Sequence, residues 1–429
     1  MLKDKVLLLI NDKNKKNFFI YGIGQVFNLI TPLIVAPLVV AKCYEAGYGK
    51  VGLGFALALF LILIVDYAFD IKATKSVAEN RDNSKVLEEI LSTTIFTKIV
   101  LFLIVLFFAS VLITIIPFFH QEKKLFVLSL AIVLAQVFNP IWFFQGLENF
   151  KWISIINIAS KVTYVTLVLF FIQQSNDYVL VNLFLGISSF VFNILGLIYI
   201  KKTYGFKVTI PPFKNIKSIL QNDFSFCVSQ LFLSARQLSP LVLVSYFLGY
   251  SIAGQYRVME QVINLFRTFS QVFLKFFYAK ACYKFMKDMK TGWEFWKKYT
   301  AINILIISIS LIIIVCFSIE ILHFFHLSEN TIVELDSLFK GTLIISFLMS
   351  FTLPLEQLMF IQDKSKIYVK ITIFVTVVNI TLLLILIKQF ELLAVIATLI
   401  VAELIFIAFY FYNAFLHTKQ LIKNEKHLT

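Results

Sequence analysis

The sequence predicts an all-α polytopic membrane protein: twelve transmembrane helices in two six-helix bundles around a central cavity. Three observations predict it. The 429-residue chain is 59% hydrophobic and 15% charged, with a mean hydropathy of +0.85; a soluble domain is nearer half apolar and a quarter charged. Apolar runs recur, each long enough to cross about 30 Å of hydrocarbon as a helix. The runs are continuous and do not alternate in short segments, which excludes a β-barrel.

The spans fall at about 17–41, 51–69, 93–117, 125–147, 152–173, 178–200, 223–248, 253–279, 299–324, 337–361, 366–387 and 391–416. The first holds Pro32 and Pro37 and the seventh Pro240; each proline frees a carbonyl and permits a bend. The second ends on Asp66 and Asp70, one turn apart. For Asp66 two readings stand, a cavity entrance or the interface; Asp70 is placed at the interface, paired with Lys72 or Lys75. The polar segment Ile71–Ile90 reads as a helix lying on anionic headgroups. The segment Lys280–Lys298 carries six lysines with Trp293 and Trp296, a pattern suited to anionic lipid and the membrane interface.

Charge fixes the orientation. Of 39 basic residues, 27 fall at the termini and in every second loop and five in the opposite loops. By the positive-inside rule both termini are cytoplasmic. The net charge of +14 is therefore topogenic and no nucleic-acid partner is expected. Cys43, Cys227, Cys282 and Cys316 are scattered without metal-ligand spacing, so neither a disulfide framework nor a metal is expected. No cofactor is called for, and without a GxxxxGK[ST] loop the chain has no ATP site. The polar start before the first span predicts no removable signal peptide. The loops on the outer side are short, which argues against a glycan-polymerising enzyme.

The halves resemble each other. An offset of 205 residues pairs Asn17 with Asn222, Gln25 with Gln230 and Gly49 with Gly254 without a gap. Six spans return the chain to the cytoplasm, so the repeats are parallel and substrate lies between them. The division is an N-terminal bundle 1–200, a linker 201–222 with Pro211-Pro212 and five lysines, a C-terminal bundle 223–416 and a tail 417–429.

Three of the four arginines, Arg236, Arg257 and Arg267, lie inside apolar spans. A charge at membrane depth is costly and faces a bundle interior or a watery cavity. Arginine offers a permanent planar fork that suits carboxylate or phosphate. In the eighth span Arg257, Glu260, Asn264, Arg267, Gln271 and Lys275 recur on one stripe at about 100° per residue. Two readings fit: a cavity lining, or an Arg–Glu bridge holding helices together. In the seventh span Ser225, Ser229 and Arg236 share a face, with Gln230 and Gln237 beside it. Lys161, Glu356 and Glu403 are single charges in apolar surroundings. Glu260, Glu356 and Asp66 are the candidates for coupling to a proton or sodium counter-ion, because a carboxylate in low dielectric can take up and release a proton.

Asn139-Pro140-Ile141-Trp142-Phe143-Phe144-Gln145-Gly146-Leu147-Glu148 resembles the fourth-span signature of the O-antigen and capsule oligosaccharide flippases. These form the polysaccharide transport family within the multidrug, oligosaccharidyl-lipid and polysaccharide exporter superfamily. Asp66-Tyr67-Ala68-Phe69-Asp70, with Ala73-Thr74-Lys75, Ala78 and Asn80-Arg81-Asp82-Asn83, is similar to the family's segment after the second span. Ile156-Asn157 and Lys161 are similar to its fifth-span start. Ala68 stands where the family often has glycine, and Asp70 where asparagine is common. The resemblance covers about the first 165 residues.

It implies a multidrug-and-toxin-extrusion-like fold of two six-helix bundles around a cationic cavity. It also implies a non-enzymatic flippase in the bacterial inner membrane. The cargo would be an undecaprenyl-diphosphate-linked oligosaccharide, an O-antigen or capsule repeat unit, moved from the cytoplasmic to the periplasmic leaflet by alternating access. Arg236, Arg257, Arg267, Asn264, Lys161 and Gln145 would line the substrate cavity, with Gln145 and Glu148 near its cytoplasmic end. For Gln145 the alternative is helix termination, with Trp142 in the interfacial belt and Gly146 in close packing. Membrane lipids, a polysaccharide polymerase and a chain-length regulator would be partners. The alternatives are an ion-coupled drug or small-molecule exporter of the same superfamily and a membrane glycan polymerase.

Overall fold

The computed structural model describes residues 13–67, 69–207 and 209–428. Ala68 lies outside the described residues, as do the side chains of Asn17, Asn222, Ser225 and Ser229. The α-helices of the described residues are α1 Lys13–Asp66, α2 Phe69–Glu79, α3 Ser84–Ile115, α4 Pro117–His120, α5 Lys123–Val137, α6 Ile141–Gly146, α7 Phe150–Phe171, α8 Tyr178–Tyr204, α9 Phe213–Phe247, α10 Tyr250–Lys287, α11 Met289–Cys316, α12 Ser318–Phe324, α13 Glu329–Ile361 and α14 Ser365–Leu428.

Among the described residues, eight helical segments are long and apolar enough to cross a membrane. Two of them bend sharply. Tyr44 (φ 60, ψ 175) interrupts α1 and Glu391 (φ 47, ψ −127) interrupts α14. Tyr44 lies between the first two predicted spans and Glu391 is the first residue of the twelfth, so each segment carries a pair. The predicted seventh and eighth spans fall on α9 and α10, which have 35 and 38 residues but are more polar. The chain is a multi-pass membrane protein.

The residues pack as two units, Met1–Ser234 and Ala235–Thr429. The division falls within α9, beyond the predicted linker 201–222. In the first unit α5 packs on α8, and α1 on α7 and α5. Close approach and amide hydrogen bonds join these helices, since lipid gives little hydrophobic drive for association. A Cβ on Gly186 would come within 2.5 Å of the Ala131 carbonyl carbon. Asn182 Nδ2 donates to Val51 O at 3.0 Å and Ser129 Oγ at 2.9 Å, and Asn193 Nδ2 to Ala135 O at 2.7 Å. In the second unit α13 packs on α14, and α10 on α11 and α13.

The tryptophans depart from expectation. Trp142, which one of the two sequence readings put in an interfacial belt, is 3% exposed beside Phe143 and Phe144. Gly146 lets the same short helix α6 sit against Val77 of α2, where a Cβ would meet the valine side chain at 2.6 Å. Trp293 and Trp296 are each 8% exposed and meet edge to face at 5.4 Å. Trp296 Nε1 donates to Pro354 O at 3.3 Å. Neighbouring side chains, invisible in composition, bury these indoles within the protein.

Candidate functional site

The second unit gathers most of the predicted charges. Arg236 projects from α9 one turn before Pro240. Its Nη1 donates to Glu403 Oε1 of α14 at 3.1 Å, and its guanidinium lies 4.7 Å from the Phe406 ring centroid. Glu403 is 2% exposed, and its other oxygen, Oε2, has no hydrogen-bond partner among the described residues. On α10, Arg257 donates to Glu260 one turn along. Arg267 donates instead to the neutral Asn264, Nη1 to Oδ1 at 2.8 Å. On α13, Glu356 accepts from Tyr368 OH at 3.1 Å. The site therefore sets three arginines against three glutamates, and Arg267 is the arginine whose bonded neighbour on the same helix carries no charge.

The α10 stripe faces two cavities. The first has a volume of about 20 Å³ and is lined by Arg236, Gln237, Tyr256, Glu260, Arg267 and Glu403, among others. A cavity needs about 10–15 Å³ of such space to hold one water, so this one is closed around a water-sized volume. The second, about 350 Å³, is lined by Gln271, Lys275, Tyr278, Glu356 and Gln357 with apolar neighbours. Of the six stripe members, Glu260 and Arg267 line the first cavity and Gln271 and Lys275, beginning about one turn further on, line the second. Helix periodicity put these side chains on one face; helices α9, α13 and α14 supply the opposing groups.

The other predicted residues belong to the first unit. Asp66 is bonded on both oxygens: Lys98 Nζ lies 2.6 Å from Oδ1 and Gln136 Nε2 donates to Oδ2 at 2.7 Å. Lys98 has a fully buried side chain. Gln136 Oε1 in turn accepts from Asn139 Nδ2 at 3.0 Å, which links the pair to the start of the Asn139–Glu148 run. Lys161 is half-buried on α7 and forms no ion pair among the described residues. Gln145 is exposed on α6. Glu148 pairs with Arg81 at 2.9 Å, tying the end of the run to the loop after α2.

Sequence reasoning left Lys98 and Gln136 out of the site and read Glu403 only as a single charge in apolar surroundings, without its partner. A lone lysine inside a span was the available signal for the first, because a buried cation needs a carboxylate at its own depth. For Glu403 the partner lies 167 residues away, and nothing local announces it.

The profile of the polysaccharide biosynthesis protein family matches residues 15–283. A candidate O-antigen transporter of Escherichia coli (strain K12) is 24% identical over 251 residues, 58% of this chain and 60% of that protein. A candidate O-antigen transporter of Shigella dysenteriae is likewise 24% identical, over 62% of its own length. The chain thus matches about three fifths of these relatives. Two solved structures share the fold. One is an inward-facing multidrug resistance MATE family transporter of the MOP superfamily, with TM-score 0.72 and 14% identity, covering 91% of this chain and 96% of that one. The other is the lipid II flippase MurJ in an inward closed conformation, with TM-score 0.71 and 14% identity, covering 92% and 87%. A profile match over more than half of its length, joined to a MOP-type polytopic helical fold, places this chain in the polysaccharide biosynthesis protein family.

Proposed function

We propose that the protein is a flippase for a lipid-linked polysaccharide precursor in the bacterial inner membrane, with both termini cytoplasmic. In its finer form the proposal names an undecaprenyl-diphosphate-linked oligosaccharide, carried to the periplasmic leaflet by alternating access. The observation that carries it is the set of three arginines held within one unit, inside helices of an otherwise apolar protein. A diphosphate headgroup is the part of such a substrate that needs permanent multi-donor cations.

The cluster supports a displacement step. Glu403 occupies Arg236 and Glu260 occupies Arg257, so the cations are internally neutralised while the small cavity is closed. An arriving diphosphate competes for the same guanidinium donors and frees the carboxylates. Arg267, bonded to neutral Asn264, is the first cation available to it. Lys161 and Gln145 belong to the other unit and are proposed to act on the saccharide path. Among the coupling candidates, Glu260 and Glu356 sit with the arginines, whereas both oxygens of Asp66 already have partners. The geometry therefore favours Glu356 or Glu260, and adds Glu403, as the group that exchanges a proton or sodium ion.

The experiment replaces Arg267 by alanine and by lysine in a flippase-deleted host and measures surface polysaccharide at matched protein level. Loss with alanine and partial return with lysine is the expected result. Normal export by both variants would remove Arg267 from the substrate path. A drug exporter for cations, the other transporter reading, would need a net acidic cavity; three arginines against three glutamates do not provide one.

A further inference from the structure

A polar cavity of the first unit is lined by none of the residues of the arginine cluster. It has a volume of about 430 Å³, within the range of small-molecule pockets. Lys72 and Ser76 of α2, Glu89, Thr93 and Thr94 of α3, and Ser218 of α9 give it its polar lining, and Phe69, Ile90 and Ile219 its apolar one. Asn215 Nδ2 donates to Glu89 Oε1 at 3.3 Å and steadies that carboxylate. Thr93 and Thr94 are 7% and 3% exposed, and neither hydroxyl donates to a partner among the described residues. The cavity therefore offers one ammonium, one carboxylate and several hydroxyls.

The surroundings are those of a membrane surface. Helix α2 buries Phe69, Ala73 and Val77 on one side and leaves Ile71 58% exposed on the other. In the segment leading into α9, Ile210 and Phe213 are 81% and 73% exposed. The apolar span of α3 begins at this end, with Glu89 to Thr94 within its first three turns. A soluble zwitterion would have no use for that apolar rim, whereas a lipid headgroup sits at this depth with its chains against such side chains.

We propose that this cavity binds the zwitterionic headgroup of an aminophospholipid. The phosphate is held by Lys72 and the Thr93 and Thr94 hydroxyls, and the primary ammonium by Glu89. A lipid that carries only negative charge would meet Glu89 as a like charge. A trimethylated ammonium would give up the hydrogen bonds that a primary ammonium donates. The bound lipid would brace α2, α3 and the start of α9. This site does not depend on the substrate reading above, and its test uses no glycolipid.

The test measures retention of dioleoyl-phosphatidylethanolamine, dioleoyl-phosphatidylglycerol and dioleoyl-phosphatidylcholine by the purified full-length protein, using native mass spectrometry with thermal stability monitored in parallel. The wild type is expected to hold the ethanolamine lipid about tenfold more tightly than the other two, the scale of one charge-assisted hydrogen bond. Glu89→Gln removes that preference and leaves phosphatidylglycerol binding equal or stronger. Lys72→Gln weakens all three lipids. The exposed Glu334→Gln, in the second unit, changes nothing. Equal retention of the three lipids by the wild type overturns the proposal. So does a Glu89→Gln protein, stable to heat, that keeps the ethanolamine preference.

Discussion

Replacing Glu403 by glutamine tests the displacement step directly. The carboxylate lies 3.1 Å from Arg236 Nη1 with 2% of its surface exposed. At an effective dielectric of about 20, two unit charges at that distance attract by about 5 kcal/mol. Desolvation opposes much of this attraction, and hydrogen bonds to charged groups contribute about 1.5–3 kcal/mol net. Glutamine keeps the shape and an accepting oxygen but removes the charge, so the arginine no longer has an anionic competitor. Inorganic diphosphate, measured by calorimetry on purified protein, should then bind about ten- to a hundredfold more tightly. Export in cells should fall, because a substrate that no longer meets a returning carboxylate is released more slowly. Removing one member of a buried pair can also destabilise a protein by about 3–5 kcal/mol, so thermal stability is measured alongside. A stable Glu403→Gln protein whose diphosphate affinity is unchanged or weaker would refute the reasoning: Glu403 would then be a structural partner of Arg236 and not an internal surrogate for phosphate.

Other expectations follow from the packing. Lys98→Met strands the Asp66 carboxylate and should lower stability by about 3–5 kcal/mol, whereas the double variant Asp66→Leu with Lys98→Met should recover most of it; a thermal melt of each decides, and an undisturbed Lys98→Met melt would contradict the buried pair. Gly186→Val forces methyl groups into the Ala131 backbone and should cost about 1–3 kcal/mol, seen as a lower melting temperature. Asp288 caps α11 by accepting from Lys290 N at 3.2 Å and Thr291 N at 2.9 Å, and these amides hold its carboxyl below the ordinary value of 3.8. Its folded value is depressed, so the stabilisation is present at neutral pH and is lost as pH falls below 3.8 toward that value. Asp288→Ala should therefore melt below wild type near neutrality, and the gap should close on acidification.

The helices and most of the spans were legible in the sequence because hydropathy and helical period are local properties. The α10 stripe from Arg257 to Lys275 could be read from spacing alone; Glu260 and Arg267 line one cavity and Gln271 and Lys275 another, while Arg257 and Asn264 line neither. The bend at Tyr44 lies in a gap between predicted spans, and the bend at Glu391 on the first residue of one. The burial of Trp142, Trp293 and Trp296 was not legible. Tryptophan next to lysine reads as an interface anchor until a neighbouring helix is known to cover it. The run Asn139–Glu148 carries the family resemblance, yet Trp142 and Gly146 serve the packing of α6 on α2.

The sequence by itself determined which residues are helical, which helices are apolar enough for a membrane, and which face of α10 is polar. Tertiary structure alone decided which charges meet. Arg236 finds Glu403 across 167 residues, and Lys98 finds Asp66 across 32. A buried charge accepts whichever opposite charge shares its depth and faces it across a helix contact. That coincidence depends on how helices pack, and no periodicity along one chain encodes it.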